Sequence, residues 1–141
     1  MAVAPLASTI VSIGLIPVAF LFIHAFLSGW KHKKFHVASA VVAIVWDLSM
    51  SIGYMLFRSF GGAVDGTAIQ LDQTLTVYFA IHGAVAVAVM ALEFAALGIG
   101  ARQLQLKQKI NLHGKLTKVL FGIWWFAFLS GEIFYIAMYV L

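Results

Sequence analysis

Five histidines and five carboxylates are the side chains here that could ligate a metal ion or pass a proton, and there is no cysteine. The lack of thiols excludes disulfides, thiolate metal sites and cysteine nucleophiles. Imidazole and carboxylate remain, a donor set suited to copper, iron, zinc or haem iron, and able to exchange protons near neutral pH. Asp47 stands at the centre of the apolar run VVAIVWDLSMSIGY, and His24, His82, Glu93 and Glu132 also lie within apolar stretches. His36 and His113 sit instead at the edges of basic segments, KHKKFH and KQKINLHGK. There is no HExxH pair, phosphate loop or nucleophile elbow, and the GIG within LGIGA lacks the strand that a dinucleotide fingerprint needs.

These groups must be positioned by elements that suit the composition. Of the 141 residues 63% are hydrophobic and 10% charged, against roughly 45–50% and about 25% in ordinary soluble domains. Four apolar runs, 4–30, 36–60, 74–101 and 116–141, each reach the about 20 residues that cross a hydrocarbon core of roughly 30 Å as a helix. The expected fold is all-α: one integral membrane domain over 1–141, a four-helix up-down-up-down bundle. The first run has no basic residue before it and exceeds a signal-peptide core, so it reads as a retained span. The short connections leave no room for a soluble catalytic domain, and no catalytic activity of its own is expected. Lys31, Lys33 and Lys34 follow span one, and Arg102, Lys107, Lys109, Lys115 and Lys118 lie between or beside spans three and four. By the positive-inside bias both basic loops are expected in the cytoplasm and both termini outside, in a bacterial or archaeal cytoplasmic membrane. The loop GGAVDGTAIQLDQ, with Asp65 and Asp72, then faces outward. The basic charge reports topology and anionic headgroups, and no nucleic-acid partner is implied.

Depth along the spans suggests two polar levels: His24 with Glu93 near the basic side, His82 with Glu132 near the other, and Asp47 between them. A charge at mid-membrane costs about 2.5–3.5 kcal/mol even on lenient scales, so such groups face the interior and have partners. Helical spacing places His36, Asp47, Met50, Ser51, Tyr54 and Arg58 on one face of span two. Tyr78, His82, Ala86, Val89 and Glu93 share a face of span three, and Trp125, Phe128, Glu132, Tyr135 and Tyr139 a face of span four. Three readings stay open at this point. The stripes could hold haem b or copper, with His82, His36, His113 and His24 as cofactor ligands and His82, Glu132, Asp47 and Glu93 as metal ligands. They could relay protons or ions. They could be interhelical hydrogen bonds that only fix packing. His36 and His113 anchor the interface or frame a metal or haem edge at the cytoplasmic mouth, and His32 is expected in solvent. Asp47 has no cationic partner at its depth, Arg58 being about 16 Å away along the helix. It is expected as a neutral acid, donating a hydrogen bond across the bundle or serving as a step in a proton path.

The stretch from Tyr78 onward, YFAIHGAVAVAVMALEFAALGIGARQLQLKQKINLHGKLTKVLFGIWWFAFLSGEIFYIAMYVL, resembles the second half of domain-of-unknown-function family 420. That family has a histidine in span three, a histidine opening span four, and a tryptophan, a Ser-Gly pair and a tyrosine towards the end. His82, His113, Trp125, Ser130, Gly131 and Tyr135 occupy those positions, and Gly29, His36 and Tyr54 fit its first half. Where the family often has a histidine after the span-two tyrosine, this chain has Arg58. Some relatives resemble assembly factors of haem-copper respiratory oxidases. The resemblance implies a small membrane accessory subunit or assembly factor of a respiratory or redox complex, partnered by other membrane subunits of that complex. A membrane b-type cytochrome carrying electrons and a scaffold subunit without cofactor are the alternatives.

Overall fold

The computed structural model describes residues 4–61 and 72–141. Four long helices account for nearly all of them: α1 (Leu6–Ser28), α2 (Lys33–Ser59), α3 (Gln73–Leu106) and α4 (Asn111–Tyr139). All four are long and apolar enough to cross a membrane. They pack as an antiparallel bundle, and the protein is an integral membrane protein of four spans. Inside a bilayer the helix satisfies its own backbone groups, which is why runs of valine, isoleucine and phenylalanine that would suit strands in water are helical here. Their outward faces carry exposed apolar side chains such as Phe20, Val45, Phe94 and Phe126, the surface a lipid solvent requires.

Local chemistry sets the ends. α1 stops at Gly29, whose φ of 48° is open to glycine at little cost, and a single 3-10 turn, Trp30–His32, turns the chain into α2. The Asp72 carboxylate caps α3 by accepting from the Leu75 amide at 2.8 Å. At the other end of α3, the buried Gln103 accepts from the Ile110 amide at 2.8 Å, tying the turn between α3 and α4 back onto its own helix. Two helix ends differ most from the limits set by hydropathy. α3 runs on to Leu106 and α4 begins at Asn111, because Arg102 to Leu106 and Asn111 to Lys115 are polar yet carry no helix breaker except Gly114. Hydropathy marks the part of a helix in hydrocarbon, and the hydrogen-bonded helix continues past it. The segment with Asp65 lies outside the described residues.

Contacts are most extensive within the hairpins α1/α2 and α3/α4, and the hairpins meet mainly through α1 against α4, with a lighter seam between α2 and α3. α1 and α3, and α2 and α4, are thus the diagonals. The core lies in the half of the bundle near the basic turns and at mid-depth, where Val18 and Phe22 of α1 meet Ala43 and Ile44 of α2, Val89 and Ala96 of α3, and Leu120 and Trp124 of α4. The opposite half is not filled. There the facing positions are Ser8 and Ser12 on α1 and Gly83 and Ala86 on α3, and their small side chains leave space between the helices.

Candidate functional site

That space is a cavity of about 830 Å³, within the range of roughly 300–1,000 Å³ usual for small-molecule and cofactor sites. All four helices line it: Ser8, Ser12 and Leu15 from α1, Asp47, Ser51, Tyr54 and Arg58 from α2, Tyr78, His82 and Ala86 from α3, and Trp124, Phe128, Gly131, Glu132, Tyr135 and Tyr139 from α4. Of the α2 stripe Asp47, Ser51, Tyr54 and Arg58 line this volume, and of the α3 stripe Tyr78, His82, Ala86 and Val89, whereas His36 and Glu93 lie outside it. Met50 departs from its stripe and fills the notch at Gly14 of α1, where any Cβ would collide with its terminal methyl.

His82 is held in a defined tautomer. Its Nδ1 lies 3.0 Å from Ser130 Oγ, and that hydroxyl commits its own hydrogen to the Ala127 carbonyl at 3.0 Å. A hydroxyl with its one hydrogen engaged can only accept, so His82 Nδ1 is the protonated nitrogen and Nε2 keeps the lone pair. Tyr78 secures the same corner: its hydroxyl donates to the Ser130 carbonyl at 2.6 Å, and its ring lies parallel to the imidazole and to Phe134. Gly131 makes the seat, since a Cβ there would stand 3.3 Å from His82 Cε1 and 3.7 Å from Nε2. Such a shell, fixing one nitrogen and freeing the other, is what orients an imidazole ligand.

Glu132 is in the same cavity but does not pair with His82. Its Oε2 accepts from Ser12 Oγ at 2.6 Å, so this carboxylate ties α4 to α1 and the imidazole ties α3 to α4. Two further cross-helix bonds lie nearby: Tyr135 donates to Thr9 Oγ1 at 2.8 Å, the threonine hydrogen being engaged by the Pro5 carbonyl, and Tyr54 and Ser8 hydroxyls meet at 3.3 Å.

Asp47 lies at the inner end of the cavity, 3% exposed. Its Oδ1 accepts from Trp124 Nε1 at 3.1 Å, so towards α4 it is an acceptor, whereas the sequence suggested a donor. Its other neighbour is Glu93 of α3, fully buried and within electrostatic reach. Neither Glu93 oxygen completes a hydrogen bond of good geometry. The expected pairing of His24 with Glu93 is therefore replaced by Asp47 with Glu93, because α1 and α3 are diagonal while α2 and α3 are neighbours. His24 is exposed and gives its Nδ1 hydrogen to Ser39 Oγ at 2.8 Å, Ser39 itself donating to the Phe35 carbonyl.

At the basic end, His36 Nδ1 donates to the Ala25 carbonyl at 2.7 Å, and the His36 and His113 rings stand edge to face with centres 6.2 Å apart. The candidate ligands thus fall into three groups, His82 with Glu132 in the cavity, Asp47 with Glu93 at mid-depth and His36 with His113 at the basic end, while His24 stands apart on Ser39. Among the described residues no three histidine, aspartate or glutamate side chains form a group that could hold a metal ion.

Comparisons with protein-family models, curated proteins and solved structures find no match for this chain. The site is therefore defined by its own geometry.

Sequence spacing missed Trp124, Ser12 and Ser39, and Ser130 and Gly131 entered only through the family resemblance, with no role given to them. The α4 stripe picked Trp125 over Trp124, although it is Trp124 that reaches the cavity. One signal was available: Trp124, Phe128, Gly131 and Tyr135 follow steps of four, three and four, as good a helical stripe as the one starting at Trp125. Ser8 and Ser12, one turn apart on α1, were legible in the same way as a small polar patch in an otherwise apolar span.

Proposed function

We propose that this protein is a small accessory subunit or assembly factor of a respiratory redox complex, and that it holds haem in the bundle cavity with His82 Nε2 as the iron ligand. The observation that carries this is an interhelical cavity of about 830 Å³ into which one tautomerically fixed imidazole is seated against a glycine. The volume favours a cofactor far larger than an ion, and the scattered carboxylates give no competing cluster of three or more ligands among the described residues. The walls suit a flat apolar ring, with Tyr78, Phe79, Phe128, Phe134 and Met138 around it, and Arg58, Tyr54 and Tyr139 towards the end away from the basic turns. There a guanidinium and phenol hydroxyls can meet carboxylate substituents. When bound, haem iron would supply one-electron chemistry; the residues of this chain bind it, fix its orientation and exclude bulk water. In this reading the basic turns are cytoplasmic, the cavity lies in the outer half of the membrane, and the partners are other membrane subunits of the complex. The resemblance to domain-of-unknown-function family 420 on the residues quoted above, which no family model matches, is the ground for the accessory-subunit or assembly-factor part of this reading and says nothing of haem.

A scaffold subunit without cofactor is the second reading. It rests on the bonds Ser12–Glu132, Thr9–Tyr135 and Trp124–Asp47, each able to do no more than register the helices. The test is haem content: protein purified in mild detergent from a haem-replete host should carry about one haem per chain and show a Soret band. Protein that neither carries haem nor takes it up when hemin is added would reject the cofactor reading in favour of the scaffold. A haem that cycles with a respiratory donor in the isolated protein would instead indicate an electron-carrying b-type cytochrome.

A further inference from the structure

The chain has nine lysines and arginines, and all but Arg58 lie in or beside the two turns at one end of the bundle. None of its five carboxylates, Asp47, Asp65, Asp72, Glu93 and Glu132, falls there. Topology alone does not require that purity, since the positive-inside bias counts lysine and arginine and is nearly indifferent to acidic residues. The fold then makes one surface of the two turns. α2 and α4 both begin at this end, and His36 and His113 in their first turns stand with ring centres 6.2 Å apart. The end of α1 is fastened to the same floor: Phe26 stacks on Phe121 of α4 with centres 4.2 Å apart, and His36 donates to the Ala25 carbonyl at 2.7 Å. Basic segments far apart in sequence are thereby neighbours, and Lys31, Lys34, Arg102, Lys115 and Lys118 are exposed on the joined surface.

We propose that this end of the bundle binds an anionic phospholipid with two phosphates in one headgroup, Lys31 and Lys34 holding one phosphate and Lys115 and Lys118 the other. Depth selects a lipid. The apolar runs end or begin at residues 30, 36, 101 and 116, so these cations stand within about three residues, roughly 5 Å, of the hydrocarbon. That is the level of the headgroup layer, about 5–7 Å on each side of the membrane. Large apolar side chains are exposed beside them: Leu27 and Phe35 at the first turn, Leu112 and Val119 at the second. An acyl chain can lie on these while its phosphate meets the lysines, a match that an acidic protein segment or a soluble anion does not offer. Joining the turns favours two phosphates over one, because after the first binds the second is held at high effective concentration. The surface lies at the opposite end from the opening half of the bundle around His82 and owes nothing to haem.

The experiment uses the full-length protein in an uncharged detergent, with cardiolipin, phosphatidylglycerol and phosphatidylcholine added at equal phosphate and inorganic pyrophosphate as the soluble probe. Native mass spectrometry counts retained lipid, and thermal unfolding reads the stabilisation at low and high salt. Variants carry glutamine at 31 and 34, at 115 and 118, or at all four positions, and a fourth carries arginine at all four to keep the charge. Gel filtration and circular dichroism confirm folding. Wild type should bind cardiolipin about tenfold more tightly than phosphatidylglycerol, and phosphatidylcholine least. Either pair of glutamines should remove the advantage of cardiolipin, all four should remove the preference for anionic lipid, and the arginine variant should keep both. A folded wild type that does not prefer anionic lipid, or binds phosphatidylglycerol as tightly as cardiolipin, overturns the proposal. So does a preference that survives four glutamines, or pyrophosphate that stabilises the protein as much as the lipid does.

Discussion

Ser130 engages three groups at once: its hydroxyl accepts from His82 and donates to the Ala127 carbonyl, and its own carbonyl accepts from Tyr78. Replacing it by alanine should free the imidazole to change tautomer and rotate while removing little packing. The expected outcome of Ser130→Ala is a folded protein whose Soret band is shifted or broadened, read by absorption spectroscopy; an unchanged band would mean that the relay does not orient the ligand. Gly131→Ala approaches the same ring from the other side, since the new methyl must push His82 Cε1 from 3.3 Å, and it should weaken haem retention on dilution. Asp47 makes a different argument. Asparagine at 47 keeps an acceptor for the Trp124 indole, whereas leucine leaves that N–H buried and unpaired at a cost of about 1–3 kcal/mol. Thermal unfolding in detergent should therefore show Asp47→Asn close to wild type and Asp47→Leu clearly destabilised. Two equally stable variants would show that this carboxyl has no packing role. An aspartate in an apolar run announces itself in the sequence; its partner does not, because nothing in the order of residues says which of two adjacent tryptophans will point at it.

At the scale of the elements, the four apolar runs were legible because a bilayer leaves a chain few alternatives to helices, and the stripes of α2 and α3 were legible because burying polar groups forces them to a common side. Two features were not. Helix ends past the hydrocarbon depend on capping and turn chemistry, such as the left-handed Lys107 at φ 52° and the Gln103 tie, which hydropathy does not sense. Pairing of His24 with Glu93 looked right by depth and failed by direction, since equal depth says nothing about whether two helices are neighbours or diagonal. The orientation proposed from the basic turns has a direct check. Single cysteines at exposed Lys34 and Lys109 should react with a membrane-impermeant maleimide only from the cytoplasmic side, and one at Gln73 only from the outside. Reaction of Lys34→Cys and Gln73→Cys from the same side would contradict the four-span topology.

The whole molecule divides along its long axis into a packed half, built on Val18, Phe22, Ile44, Leu120 and Trp124, and an open half containing the cavity. In the packed half large aliphatic and aromatic residues of all four helices meet, while in the open half serine, glycine and alanine at Ser8, Ser12, Gly83, Ala86 and Gly131 leave space between walls that also carry aromatic rings such as Tyr78, Phe79, Phe128 and Phe134. A bundle that leaves half its interior as space forgoes dispersion contacts along every cavity wall, and haem filling that space would restore them. Bound haem should accordingly raise the thermal midpoint in detergent, by an amount that grows with free hemin concentration. The central claim, that the cavity holds haem through His82, is tested most directly by the absorption spectrum of His82→Ala beside wild type, at equal hemin loading and with folding verified. Expected are one haem per wild-type chain in this cavity and a Soret band lost or displaced in the variant, because an axial ligand cannot be removed without changing the iron's coordination. A His82→Ala protein with the wild-type band at the wild-type stoichiometry would contradict it.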